Sequence, residues 1–164
     1  MTKVYVATSW RNPFQEDVVT ALRKESFSVY DFRHPEPGDD GFHWSEIDDE
    51  WRSWTPDQYI AHLNHPLANK GYEHDENGLI TSDAGVLVLP CNRSSHLEAG
   101  YFFGAKKPFI IYIPKTIGMK AEGQGGGNDF TPELMYKMTK HIYTDLKLVI
   151  SVLKGFRDHM ERPA

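Results

Sequence analysis

From Asp83 to Tyr101 the chain reads Asp-Ala-Gly-Val-Leu-Val-Leu-Pro-Cys-Asn-Arg-Ser-Ser-His-Leu-Glu-Ala-Gly-Tyr. Gly85 to Leu89 is apolar without alternation, as expected of a strand covered on both faces. A short polar turn follows. Ser94 or Ser95 then caps a helix running to about Gly104. A strand that empties into a helix start sets polar groups at the carboxyl edge of a sheet, where open α/β sheets bind their ligands. Glu98 is the carboxylate that the spacing puts in this helix's first turn, three residues after Ser95. That is the spacing of a capping box, in which the carboxylate serves the backbone. It is also the place for a nucleophile or general base.

The rest of the chain repeats the pattern. Lys3 to Thr8 reads as a strand, Phe14 to Lys24 as a helix capped by Asn12 with Pro13 in its first turn, and Ser28 to Phe32 as a second strand. Strand–helix–strand implies a parallel pair and a right-handed crossover. Pro108 to Ile113 is another buried strand. Pro132 to Lys140 is a short helix, His141 to Tyr143 a short strand, and Asp145 to Phe156 a closing amphipathic helix. This alternation predicts an α/β fold, a single flavodoxin- or Rossmann-like domain over residues 1–164. Its sheet is mostly parallel, with helices on both faces.

Two segments depart from the alternation. Residues 33–56 hold four prolines or glycines before Phe42, Trp44, Trp51 and Trp54, which are interleaved with acids. This Trp-rich insertion is a lid or carries a short helix over Ser45 to Trp51. Asp57 to Leu67 then reads as a helix with Tyr59, Ile60, Leu63 and Leu67 on one side, and a further helix spans about Asp75 to Thr81. The second departure is a glycine-rich loop at about 115–131, which the composition predicts to be mobile.

Composition narrows the function classes. A net charge of −5 argues against polymeric nucleic acid as a partner, while a nucleoside or nucleotide needs only local cations. The one cysteine, Cys91, excludes an internal disulfide and suits a reducing cytoplasm. The N-terminal residues lack an apolar signal core, and no apolar run reaches membrane-spanning length, so no membrane partner is expected. No P-loop and no dinucleotide fingerprint is present. His62 and His65 lack a second ligand pair, so no metal is expected, and nothing calls for a cofactor.

Several candidates carry two readings. Asn92, Arg93, Ser94, Ser95 and His96 form either a solvated, well-capped turn or an anion site at a helix start. Asp75 is either a helix-start acid or the partner of Glu98 across a glycosidic bond. Tyr5 is either core packing or a buried phenol with a polar task. Trp10, Phe42, Trp44, Trp51 and Trp54 form a satellite core or stack on a flat base.

Taken together, these residues resemble the nucleoside 2-deoxyribosyltransferase family and its deoxynucleoside-monophosphate N-glycosidase relatives. Lys3-Val-Tyr-Val-Ala7 resembles the family's tyrosine-bearing first strand. Asp75, eight residues before Asp83, resembles its second active-site acid. Ser82-Asp83-Ala-Gly-Val-Leu-Val and Ser95-His-Leu-Glu98-Ala-Gly-Tyr101, followed by Gly104-Ala-Lys-Lys-Pro108, resemble its apolar strand and glutamate motif. The similarity spans about residues 3–113. Where transferases of the family often carry an aspartate six residues before the glutamate, this chain has Asn92. The family's glycine-rich approach is replaced by Arg93-Ser94-Ser95-His96.

The resemblance implies that Glu98 attacks C1′ of a 2′-deoxynucleoside or its 5′-monophosphate and that the sugar passes to another base. It implies that Tyr5 orients Glu98, that Asp75 protonates the leaving base or holds the sugar hydroxyls, and that all three side chains converge. Arg93, Ser94 and Ser95 are then candidates for a 5′-phosphate, with Asn92, Trp10 and Trp44 as further substrate contacts. A homodimer or higher homo-oligomer is implied as well. Two other readings stay open: a nucleotide N-hydrolase without an acceptor base, and a non-catalytic nucleotide-binding or signal-sensing module.

Overall fold

The computed structural model describes residues 1–119 and 129–161. Of the expected glycine-rich loop at 115–131, residues 120–128 lie outside the described residues. The chain divides into two compact units. One comprises Met1–Tyr30 and the chain from Thr81 onward, and the other is Asp31–Ile80.

The first unit is a five-stranded, all-parallel sheet of flavodoxin-like order. Its strands are β1 (Lys3–Ala7), β2 (Ser28–Tyr30), β3 (Ala84–Val88), β4 (Phe109–Tyr112) and β5 (Ile142–Tyr143), in the spatial order β2-β1-β3-β4-β5. The chain moves outward from β1 to β2, then returns to the other side of β1. The switch point of the sheet therefore lies between the carboxyl ends of β1 and β3.

Each face of the sheet has its own helices. Val4 and Val6 of β1, Ala84, Val86 and Val88 of β3, and Ile110 of β4 point one way. They meet Val18, Val19 and Leu22 of α1 (Gln15–Lys24) and Val149 and Leu153 of α5 (Leu146–Met160). On the opposite face Tyr5 and Gly85 are register partners. There Phe102 of α4 (Arg93–Gly104) lies 5.9 Å from the Tyr5 ring and 6.3 Å from that of Phe109, centroid to centroid. A Cβ on Gly85 would stand 2.8 Å from the Phe102 ring. Glycine at this position is what lets the ring lie on the sheet.

The second unit differs more from the sequence reading. No helix spans Ser45 to Trp51. Two short 3₁₀ turns flank that stretch instead, at Trp44–Glu46 and Trp51–Ser53. The helix expected over Asp57 to Leu67 ends early, as α2 (Pro56–His62). Pro66 explains this, because it cannot donate to a continuing helix and restricts the residue before it. The same proline opens α3 (Pro66–Thr81), which is far longer than the helix expected near Asp75. The sequence hides α3's first turns because they carry little apolar periodicity, and Ala68 and Gly78 are its buried residues.

The aromatic residues of this unit pack on one another. Trp44 stands edge-on to Phe42, Trp54 and Tyr59, with centroids 4.8, 5.8 and 5.8 Å away. His62 stacks on Trp54 at 4.1 Å, and the Trp54 indole N–H donates to Asp48 at 2.7 Å. That hydrogen bond is the main reason the Asp48 carboxyl is held below its usual range. Of the aromatics expected to cluster or to stack on a base, Phe42, Trp44 and Trp54 pack together, none of them fully buried.

Candidate functional site

The carboxyl ends of β1 and β3 are tied together by side chains. The Thr8 hydroxyl donates to the Val88 carbonyl at 2.7 Å. The Asn12 carboxamide donates to the Val88 and Pro90 carbonyls at 3.1 and 2.9 Å, while its oxygen accepts from the Phe14 N–H at 2.7 Å. Thr8 and Asn12 are both buried, so these bonds satisfy carbonyls that the strand ends leave open. The expected cap is corrected here: α1 has Phe14 at its N-cap with no side-chain cap hydrogen bond, and Asn12 and Pro13 both precede the helix. The tie of Asn12 to the end of β3 was not legible, because Val88 and Pro90 are more than 70 residues away in the chain.

The cap of α4 is a correction to the sequence reading. Neither Ser94 nor Ser95 is the N-cap. Asn92 is, with its carboxamide oxygen accepting from the Ser95 N–H at 3.3 Å. The helix therefore starts earlier, at Arg93, and its first turn carries no acid. Glu98 falls in the second turn, outside any capping box.

Ser95 is also corrected as a ligand contact. It is fully buried, and its hydroxyl donates to the Thr8 carbonyl at 2.8 Å. That bond fastens α4 to the end of β1. Ser95, Glu98 and Phe102 follow one another at helical spacing on a single stripe. Ser95 is anchored to the end of β1, and Phe102 lies on Tyr5 and Gly85. Glu98 sits between these two anchors in the helix and is half-buried.

The other expected residues fall in different settings. Tyr5 is fully buried in β1, its ring stacked on Tyr30 at 5.0 Å and tilted against Phe102. Arg93 and Ser94 are exposed in the first turn of α4. Trp10 is partly exposed in the turn after β1. Asp75 is half-buried in the middle of α3, not at a helix start, and belongs with Trp44 to the unit Asp31–Ile80. His62 is engaged with Trp54, and His65 Nδ1 accepts from the Leu67 N–H at 3.2 Å. Among the described residues no group of three His, Cys, Asp or Glu is placed to hold a metal, and no helix is long and apolar enough to cross a membrane.

Sequence reasoning missed a polar cluster around His96. His96 Nδ1 lies 2.8 Å from the Asn92 carbonyl oxygen, and Nε2 lies 3.0 Å from the Tyr136 hydroxyl. Cys91 Sγ is 3.7 Å from His96 Nδ1. Burial pushes the Cys91 thiol up to about 12, helped by the negative charges of Glu98 and Glu133. Burial, with Cys91 and Glu133, also raises the Tyr136 phenol. Both groups therefore stay neutral at physiological pH, and Cys91 is no nucleophile. Asn92 and His96 of this cluster carried a signal in the sequence, as part of the polar turn. Tyr136 arrives from a 3₁₀ turn (Leu134–Met138) about 40 residues on.

No protein-family model matches the chain, and no curated protein matches it. One solved structure similar to it is that of the Clostridium botulinum CMP N-glycosidase BcmB. It is 14% identical, with a TM-score of 0.45, over 94% of this chain and 99% of that one. A likeness at that level adds nothing to the argument from the site.

Proposed function

We propose that this chain cleaves the N-glycosidic bond of a 2′-deoxynucleoside or its 5′-monophosphate and passes the sugar to a second base. The observation that carries this reading is the position of Glu98. It is half-buried on α4, at helical spacing from Ser95 and Phe102, which tie that helix to the end of β1 and to the sheet face. A Glu98 carboxylate oxygen bonds to C1′ as the C1′–N bond breaks. The base leaves with that electron pair and takes up a proton. A nitrogen of the incoming base then attacks C1′ and releases the carboxylate. The transition states have oxocarbenium character, which a neighbouring negative charge stabilises.

The remaining roles rest on the sequence resemblance. Tyr5 orients Glu98, and Asp75 protonates the departing base or holds the sugar hydroxyls. Arg93 and Ser94 suit a 5′-phosphate, since they are exposed in the first helical turn, where the helix dipole favours an anion.

The test is incubation of deoxynucleosides and their monophosphates with and without a second free base, read by mass spectrometry. A new nucleoside made only when the second base is present supports transfer. Free sugar or sugar phosphate alone identifies a hydrolase. Recovery of every compound unchanged overturns the reading and favours a binding module.

A further inference from the structure

The register of β1 and β3 ends at Ala7 and Leu87, so the Thr8 carbonyl lies one residue past the ladder. A buried carbonyl there needs a donor from outside the sheet. The Ser95 hydroxyl supplies one, at 2.8 Å and across 87 positions of chain. A serine inside a helix commonly turns its hydroxyl back on its own backbone. That of Ser95 reaches another element instead, and it shares its hydrogen with Asn92 Oδ1, 3.0 Å away in the cap of α4. The anchor is itself fixed. The Thr8 hydroxyl donates to the Val88 carbonyl at 2.7 Å, tying the end of β1 to the end of β3, and both residues are buried. Glu98 stands three residues after Ser95 in the same helix, about 4.5 Å further along its axis. Intrahelical hydrogen bonds make the two turns move as one. Phe102, four residues beyond Glu98, holds the helix through ring packing, which has no preferred direction and lets surfaces slide. The bond at Ser95 is directional and sets a distance.

We propose that Ser95 is a positioning residue for Glu98. Its buried hydroxyl, bonded to the Thr8 carbonyl, fixes α4 against the end of β1 and thereby places the carboxylate for attack on the sugar. This rests on the glycosidic reading, in which Glu98 bonds to C1′. Ser95 is fully buried, so it acts through the helix and not on the ligand. Attack on C1′ demands near-contact geometry, and a misplacement of about 1 Å costs about 100-fold in rate. Ser95→Ala deletes the directional anchor while the ring contacts of Phe102 stay. Glu98 then keeps its helix but loses its fixed distance from β1. Side chains elsewhere that hold the substrate are untouched, so the loss falls on the chemical step and not on binding.

The test is single-turnover base release from dAMP, dGMP, dCMP and dTMP, with the full chain in excess over the nucleotide and its concentration raised to saturation. The plateau rate constant reports the chemical step in the bound state. A merely structural loss, which leaves fewer folded molecules, raises the half-saturating concentration and does not move the plateau. The expected result for Ser95→Ala is a plateau lowered about 10- to 100-fold at a half-saturating concentration close to the parent's. Ser95→Cys, whose thiol is a weaker donor, falls between the two and carries the same comparison should the alanine variant not fold. A plateau equal to the parent's, with or without a change in half-saturation, overturns the positioning role and leaves the glycosidic reading standing. A parent chain that releases base from none of these nucleotides overturns both.

Discussion

Glu98 is the residue on which the proposed chemistry turns. It is half-buried in the second turn of α4. Glu98→Ala should lower base release by about 10³-fold or more. A variant that still releases base at the parent's rate sinks the nucleophile assignment. Cys91 makes a second residue-scale prediction. Its thiol is raised in the fold from an ordinary 9.0 to about 12, first by burial and then by Glu98 and Glu133. A raised pKa means that the folded state favours the protonated thiol. The stability this contributes is complete below 9.0 and is lost as the pH rises towards 12. Urea midpoints should fall between about pH 8 and about pH 10, and Cys91→Ala should flatten the fall. Parallel slopes for parent and variant would remove Cys91 as its source.

Among the elements, α4 is the one whose placement decides the site. It is held at one end by Ser95 on the Thr8 carbonyl and at the other by Phe102 against Gly85. Gly85→Ala would drive a Cβ to 2.8 Å from a fully buried ring. The expected cost is about 1–3 kcal/mol, with base release weakened because α4 shifts under Glu98. Adding Phe102→Leu should return part of the stability, since the smaller side chain makes room. A double-mutant cycle that shows simple additivity would argue against this contact as the cause. The misread elements are instructive for the same reason. Ser95 looked like a cap because Ser is a good one, and Glu98 sat at the right distance. The earlier Asn92 took the position because its oxygen reaches the Ser95 N–H. Propensity ranks candidates, and geometry chooses among neighbours.

For the molecule as a whole, the two compact units differ in how much they bury. The sheet unit has fully buried residues on both faces of its central strands. In the unit Asp31–Ile80, α2 has no buried residue, and α3 buries only Ala68 and Gly78. Opening free energy follows buried apolar contact. Hydrogen exchange should therefore be slowest in Ala84–Val88 and Phe109–Tyr112 and markedly faster in Pro56–His62. Equal protection across both units would contradict this.

The alternation of apolar strands and amphipathic helices was enough to determine the flavodoxin-like sheet and its parallel strands. Those patterns are local, and a continuous apolar run has few other places to go. The same local signals singled out Glu98, the buried Tyr5 strand and the aromatic cluster around Trp44. Only the structure decided that Asn92, and neither Ser94 nor Ser95, caps α4, and that Ser95 is a buried strut. It also decided that Asn12 clamps the end of a distant strand and that Tyr136 meets His96. The last three outcomes depend on hydrogen bonds between residues 40 to 90 positions apart. No periodicity records such separations, because they exist only once the sheet has brought its strand ends to one edge.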